Sequence, residues 1–337
     1  MSSWRVLHLP YGIGIGVLSQ ALRARGVDAV SCSLRSHRYA YMADLRMHVD
    51  EYSYRAGKQV REAFFREALE TYDLFHFHFG ETFFPDKRDL KIIRDRGKKM
   101  IVHHRGSEAR MLSVARSFGN PHVRVKPTWP EMKIRANLRR LSAYIEHAIV
   151  PDRELLPYVA PYYKKVHIVP YAIDTERYIP DYPSPDSPPL VVHAPSHREI
   201  KGTDHILSSV SRLRREGYKF DFKLIERMPH LEAQRLYRQA TIVIDQLRIG
   251  SYANLSIEAM AMGKPVICYI REDLRDTFPP DLPIVSADPD TIYEALRDLL
   301  RRPERWAELG RRGRRYVERH HSLERVSGML IDIYRQL

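Results

Sequence analysis

The sequence predicts an α/β protein built from two Rossmann-like domains with parallel sheets. Three observations point there. The 337 residues exceed what one small core needs and suit two domains. Short β-rich runs alternate with amphipathic stretches in each half, the pattern of βαβ units on a parallel sheet. Between the two series, residues 170 to 189 read PYAIDTERYIPDYPSPDSPP, whose six prolines and lack of periodicity mark a connection.

In chain order, WRVLHL, VDAVSCSL, DLFHFHF, KKMIVHH, YIEHAIV and VHIVPY supply the strands of the first half. VLSQALRARG and DLKIIRDRG supply helices that close on Gly26 and Gly97. The second series runs PLVVHA, a helix over 204–216, KFDFKLIE, a helix over 230–239, TIVIDQL, a helix around 257–262, and PVICYI. From Pro289 onward nearly everything is helical. The expected boundaries are 1–169 for a first domain, 170–188 for the linker and 189–321 for a second domain, with the last helix, 322–337, packing back on the first.

Hydrophobic residues at 44% and charged residues at 29% exclude fibrous and disordered classes. Cys32 and Cys268 lie far apart with no CxxC pair, which argues against a disulfide framework and a thiolate zinc site. His8 and the Gly/Pro/Tyr run that follows it interrupt the N-terminal apolar stretch, so no signal peptide is expected. No run of about 18 apolar residues could span a bilayer. A cytoplasmic protein is the expectation. The net charge of +13 asks for an anionic partner: nucleic acid, a membrane surface or phosphorylated small molecules. The clusters Arg301, Arg302, Arg311, Arg312, Arg314 and Arg315 fall at helical spacing and read as solvated helix faces, without a nucleic-acid-binding motif.

The strongest local signal is SIEAMAMGKPVICYI, in which a helix bearing Glu258 ends at Gly263 and a strand starts after Pro265. The segment resembles the signature of the retaining GT-B glycosyltransferases around family 4, the group 1 glycosyl transferases. VPYAIDTERY, HREIKGTDHIL and AQRLYRQATIVIDQL fall in the family's order. The resemblance covers essentially the whole second domain and is looser in the first. It implies the GT-B fold, two Rossmann-like domains facing a central cleft, and transfer of a sugar from a nucleotide-diphosphate donor to an acceptor hydroxyl. Retention of configuration, no metal and no cofactor beyond the donor substrate are also implied.

By the same resemblance, Glu258 binds the donor ribose diol, a task suited to the two oxygens of a carboxylate. Arg198 and Lys201, just past a strand end, neutralise the leaving diphosphate; Arg198 stands closer to the lysine than the family's arginine does. The family's first glutamate is replaced by Gly250. Ser251, Tyr252, Ala253, Asn254 and Leu255, opening the helix, are expected to offer backbone N–H groups to the diphosphate. In the first domain, Gly12, Gly14 and Gly16 fail the dinucleotide fingerprint and match a cleft loop near the acceptor. His103 and His104 end a strand in HHRGSEAR, and His104, with Arg105, is expected to face the cleft as the catalytic histidine. His76 and His78 share one strand face, but no ligand pattern supports a metal. Asp290, in ADPD, reads as a helix N-cap rather than a metal ligand.

The expected partners are a nucleotide-sugar donor and a glycan, lipid-linked or small-molecule acceptor. The charge is compatible with peripheral contact at the inner face of an anionic membrane, and no nucleic acid is expected. Two rivals remain: a sugar-nucleotide epimerase or hydrolase on the same fold, and a non-catalytic nucleotide- or nucleic-acid-binding protein.

Overall fold

The computed structural model describes residues 4–12, 14–36 and 42–337. The chain forms two compact units, one of residues 1–111, 127–172 and 323–337, the other of residues 112–126 and 173–322.

The first unit holds seven parallel strands: β1 (Arg5–Leu9), β2 (Asp28–Ser33), β3 (Leu45–Arg46), β4 (Leu74–His78), β5 (Lys99–His103), β6 (His147–Val150) and β7 (Lys165–Ile168). Their order is β3-β2-β1-β4-β5-β6-β7. The order reverses between β1 and β4, and in open α/β sheets such a switch point opens a crevice at the carboxyl ends of the strands. One face is covered by the helices Ile15–Arg23 and Leu323–Tyr334. Val326, Leu330, Ile333 and Tyr334 of the latter pack on Val6, Leu74, Ile101 and Ile149 of the sheet. Four such side chains contribute on the order of 6–12 kcal/mol, an upper figure because the unfolded chain is partly collapsed. The last helix therefore belongs to the first unit.

The second unit carries β8 (Leu190–His193), β9 (Asp221–Leu224), β10 (Ile242–Ile244) and β11 (Val266–Ile267), all parallel, in the order β11-β10-β8-β9. Its switch point lies between β8 and β10. Val191, Ile242, Ile244 and Ile267 meet Ile206, Leu213, Ile292 and Leu296 in its core.

Three local features depart from the sequence reading. Residues 112–126 group with the second unit, although the first half of the chain reads as continuous. Asn120 Nδ2 donates to the Arg248 carbonyl at 2.9 Å, and the Arg271 guanidinium lies 4.6 Å over the Phe118 ring. The proline-rich segment is strapped down rather than free: Asp181 N–H donates to the Met262 carbonyl at 2.9 Å, and the Arg311 guanidinium covers the Tyr182 ring at 5.3 Å. Asp290 is not the N-cap. Thr291 holds that position, and the Asp288 carboxylate accepts from the N–H groups of Asp290 and Thr291, both at 3.0 Å, while Asp290 turns toward His122 at 3.4 Å.

Candidate functional site

At the switch point of the second sheet, β8 leads through a short loop into the four-residue helix Arg198–Lys201, and β10 ends directly before Asp245. Lys201 Nζ donates to Asp245 Oδ1 at 2.7 Å and to Gln246 Oε1 at 2.8 Å. Asp245 is fully buried and also accepts from Ser256 Oγ at 2.8 Å. Burial works to raise its pKa, but the Lys201 charge and these hydrogen bonds outweigh it and hold the carboxyl below its ordinary value. Gln246 Nε2 donates to the Ser251 carbonyl. A single polar network thus ties the strand ends to the turn 250–253. An ammonium has three protons, so Lys201 keeps one for an outside acceptor. Arg198 sits apart from this network, exposed, with Nε donating to Glu226 Oε1 at 2.8 Å.

The turn feeds the helix Asn254–Ala261, which has no side-chain cap and no acidic residue in its first turn. Its leading N–H groups and positive dipole end are open to an anion. Glu258, one turn in, is buried, and both of its oxygens face His230 Nε2, at 3.0 and 3.1 Å. That hydrogen bond, then the Glu258 charge against the cost of burial, raises the His230 pKa.

Gly250 has φ +95°, and a Cβ there would lie 2.8 Å from Arg271 Cβ. Its carbonyl accepts from Arg271 N–H at 2.9 Å. The missing glutamate therefore reflects a backbone shape and a close approach that only glycine accepts without strain. Ser251 and Tyr252 are buried: the Ser251 carbonyl accepts from Gln246, and Tyr252 OH reaches Tyr316 OH at 2.9 Å and His321 Nε2 at 3.0 Å. Ala253 is the helix N-cap, followed by Asn254 and Leu255 in the first turn.

In the first unit, Gly12 and Gly14 take φ of +142° and +85° between β1 and its helix, and a Cβ on Gly16 would meet the Met42 carbonyl oxygen at 2.6 Å. Neither histidine at the end of β5 is exposed. His104 Nε2 lies 3.0 Å from Tyr163 OH, while its Nδ1 is buried without a hydrogen-bond partner, 3.7 Å from Glu108. Arg105 is buried over the Tyr171 ring at 5.6 Å, its Nη2 3.4 Å from His78 Nδ1, and burial lowers its pKa to about 10. His103 faces the other way, into a stack with His8, His76 and His78 across β1, β4 and β5. Ring nitrogens of His8, His76 and His78 lie within 4.8 Å of one another, as do ligand atoms of His122, Asp288 and Asp290. Tyr334 OH closes the stack, 2.7 Å from His76 Nδ1 and 3.4 Å from His8 Nε2.

A family model described as glycosyl transferase-like matches residues 195–332, the stretch that contains Arg198, Lys201, Gly250 and Glu258. This stretch is therefore similar to the glycosyl transferases of group 1. Solved structures share the GT-B fold over nearly the full length of the chain. HepE of Anabaena in complex with UDP-glucose is 10% identical with a TM-score of 0.67, covering 99% of this chain and 100% of that one. A glycosyltransferase from Rickettsia africae is 12% identical, with a TM-score of 0.66 and coverage of 100% and 99%. Sucrose-phosphate synthase from Thermosynechococcus elongatus is 15% identical, with a TM-score of 0.61 and 98% of each chain covered. A search of curated proteins finds no match.

The candidate site includes residues that sequence reasoning passed over. Asp245 and Gln246 hold Lys201, and His230 holds Glu258. Asp245 was visible in TIVIDQL as a polar residue at the end of an apolar strand, where ligands bind in this sheet type. His230 stood at a helix start with nothing local to connect it to a residue 28 positions later. No helix is long and apolar enough to cross a membrane among the described residues.

Proposed function

We propose that the second unit holds a nucleoside-diphosphate sugar and that the enzyme moves the sugar, with retention of configuration and no metal at the phosphates, to a hydroxyl of an acceptor held by the first unit. One observation carries the reading. The Lys201–Asp245–Ser256 network fixes a cation and an uncapped helix N-terminus together at the switch point of the second sheet, with Glu258 on the same helix.

Lys201 has a spare proton for a diphosphate oxygen, and the first-turn N–H groups offer more donors. Both are in place before charge develops on the leaving group, which is how preorganised electrostatics lower a barrier. With Lys201 held by Asp245 and Gln246, no conformational search precedes the contact. A carboxylate has about four lone-pair positions, so Glu258 can accept from His230 and from a vicinal ribose diol at once. Arg198, exposed and paired to Glu226, is placed to reach a phosphate only by leaving that partner. The bond broken is that between the anomeric carbon and the diphosphate oxygen. The bond formed joins the acceptor hydroxyl oxygen to the same carbon, the hydroxyl proton passing to the departing phosphate oxygen. Uridine, guanosine and thymidine diphosphates form the panel that tests donor binding: a ligand of the native state raises the melting temperature. The reading fails if no nucleoside diphosphate stabilises the protein. Activity that is lost in a chelator and restored by a divalent ion would remove the metal-free part.

A further inference from the structure

The first unit contains a pocket of about 390 Å³ at the carboxyl ends of β1, β2 and β4, within the size range of small-molecule sites. Its wall includes Arg35, Arg61, Lys87, Lys133 and Arg140 against one carboxylate, Glu81. The cations come from the loop after β2, the helix Tyr54–Thr71, the loop after β4 and the helix Glu131–Ser142. They converge from positions spread over more than 100 residues of sequence.

None of the five cations forms an ion pair among the described residues, although neighbouring arginines do: Arg88 pairs with Glu62 and Asp86, and Arg23 with Asp44. The carboxylates close by are engaged elsewhere. Glu81 accepts from Tyr11 OH at 3.1 Å, and Asp89 accepts from Thr82 Oγ1 at 2.9 Å and Phe83 N–H at 3.1 Å. Lys87 is only 7% exposed, and Arg61 Nε is buried with no hydrogen-bond partner. Burying an ammonium and part of a guanidinium without an ion-paired carboxylate is costly. An arrangement that retains them has an anion as its natural complement. Burial, then the charges of Arg35 and Arg140, also lower the Lys87 pKa against the pull of Glu81 and Asp89.

We infer that this pocket binds the phosphate or diphosphate group of a phosphorylated acceptor, by charge-assisted hydrogen bonds from Lys87, Arg61 and Arg140. That the ligand is the acceptor rests on the transferase reading; the anion affinity itself does not. The shared chemistry is a phosphate ester, whether on a soluble sugar or at the head of a lipid.

Calorimetry on the full chain with saturating uridine diphosphate, so that the second unit's phosphate site is filled, tests this. The probes are inorganic pyrophosphate, glucose 6-phosphate and glucose, with co-sedimentation on phosphatidylcholine vesicles with and without phosphatidic acid as the lipid arm. At least one phosphate probe should bind and glucose should not. Lys87→Met and Arg140→Gln should each weaken that binding about tenfold or more. The probe with the larger loss identifies the source as soluble or lipid. Arg140 is exposed on its helix, so its variant folds even if Lys87→Met does not. No binding of any phosphate probe, or binding indifferent to the variants, overturns the inference. Uridine diphosphate affinity should be the same in wild type and both variants. If it is absent throughout while pyrophosphate binding still depends on Arg140, the transferase reading fails and the anion pocket stands.

Discussion

Acidification should unfold the first unit well before ordinary carboxylate chemistry would. His8, His76, His78 and His103 form a stack at the centre of its sheet, with ring centroids 4.5 Å apart for His8 and His76, 4.4 Å for His76 and His78, and 5.4 Å for His78 and His103. None is more than 1% exposed. Burial dominates their titration, carrying His8 down to about 3 and the other three well below 6.5, with the Arg105 charge acting in the same direction on all four. The sign follows from linkage. Folded, the rings stay neutral; unfolded, they take up protons below about pH 6.5, so stability is intact above that value and falls as pH drops toward the folded pKa values. Each group costs about 1.4 kcal/mol per pH unit, and four together remove about 8 kcal/mol by pH 5. That rivals the whole stability of a typical domain, about 5–15 kcal/mol. Thermal melts followed by circular dichroism between about pH 8 and pH 5 read the effect. His103 sharpens the test, because both of its ring nitrogens are buried without partners. His103→Leu removes no hydrogen bond, so it should raise stability by about 1–3 kcal/mol near neutral pH and reduce the pH slope by roughly a quarter. A melting temperature flat from pH 8 to 5, or a His103→Leu variant weaker at neutral pH, would show that the stack carries protons or holds a partner and would refute the argument.

Glu258→Gln should keep the fold and weaken nucleoside-diphosphate binding by about 1.5–3 kcal/mol, read by calorimetry, since an amide offers one acceptor where the carboxylate offers two. Lys201→Met should cost about 3–5 kcal/mol of stability by chemical denaturation, because it strands the buried Asp245 charge, and should lower turnover beyond its effect on donor affinity. Gly250→Glu should lower the melting temperature without raising transferase turnover: a left-handed backbone costs about 1–2 kcal/mol, and the contact at Arg271 adds to it. For His230, whose pKa is raised, the pair with Glu258 stabilises fully below the unfolded imidazole's ordinary value and is lost as pH rises through the folded one. The stability gap between wild type and His230→Gln should therefore be wider at about pH 6 than at about pH 9.

The long strands were legible because their apolar runs sit between Gly and Pro signals, and the helix His230–Gln239 falls where its pattern places it. β3 was not, since two residues carry no periodicity. Glu258 stood out only through a family motif, because a carboxylate one turn into a helix looks locally like an ordinary dipole partner. His104 was read as cleft-facing from its place at a strand end. In the structure the ring is buried beside Tyr163, 59 residues away, and Glu108, neighbours that no local pattern announces. The basic charge was assigned to the run of arginines near residue 311. The cations around the pocket escaped notice because no window of sequence holds more than two of them.

The path of the chain has a consequence for biosynthesis. Residues 112–126 belong to the second unit but are made in the middle of the first, and residues 323–337 belong to the first unit but are made about 150 residues after its preceding segment ends at 172. Four crossings mean that neither unit is available as a continuous stretch for the ribosome to release and fold. Until Leu330, Ile333 and Tyr334 have been synthesised, the histidine face of the first sheet has only the helix Ile15–Arg23 over it, and part of a polar and apolar surface is exposed to the cell's chaperones and proteases. Cutting the gene at the proline-rich segment would leave one fragment without its last helix and carrying a stray piece of the other unit. Inclusion bodies, rather than two working halves, are the outcome that such a dissection should meet.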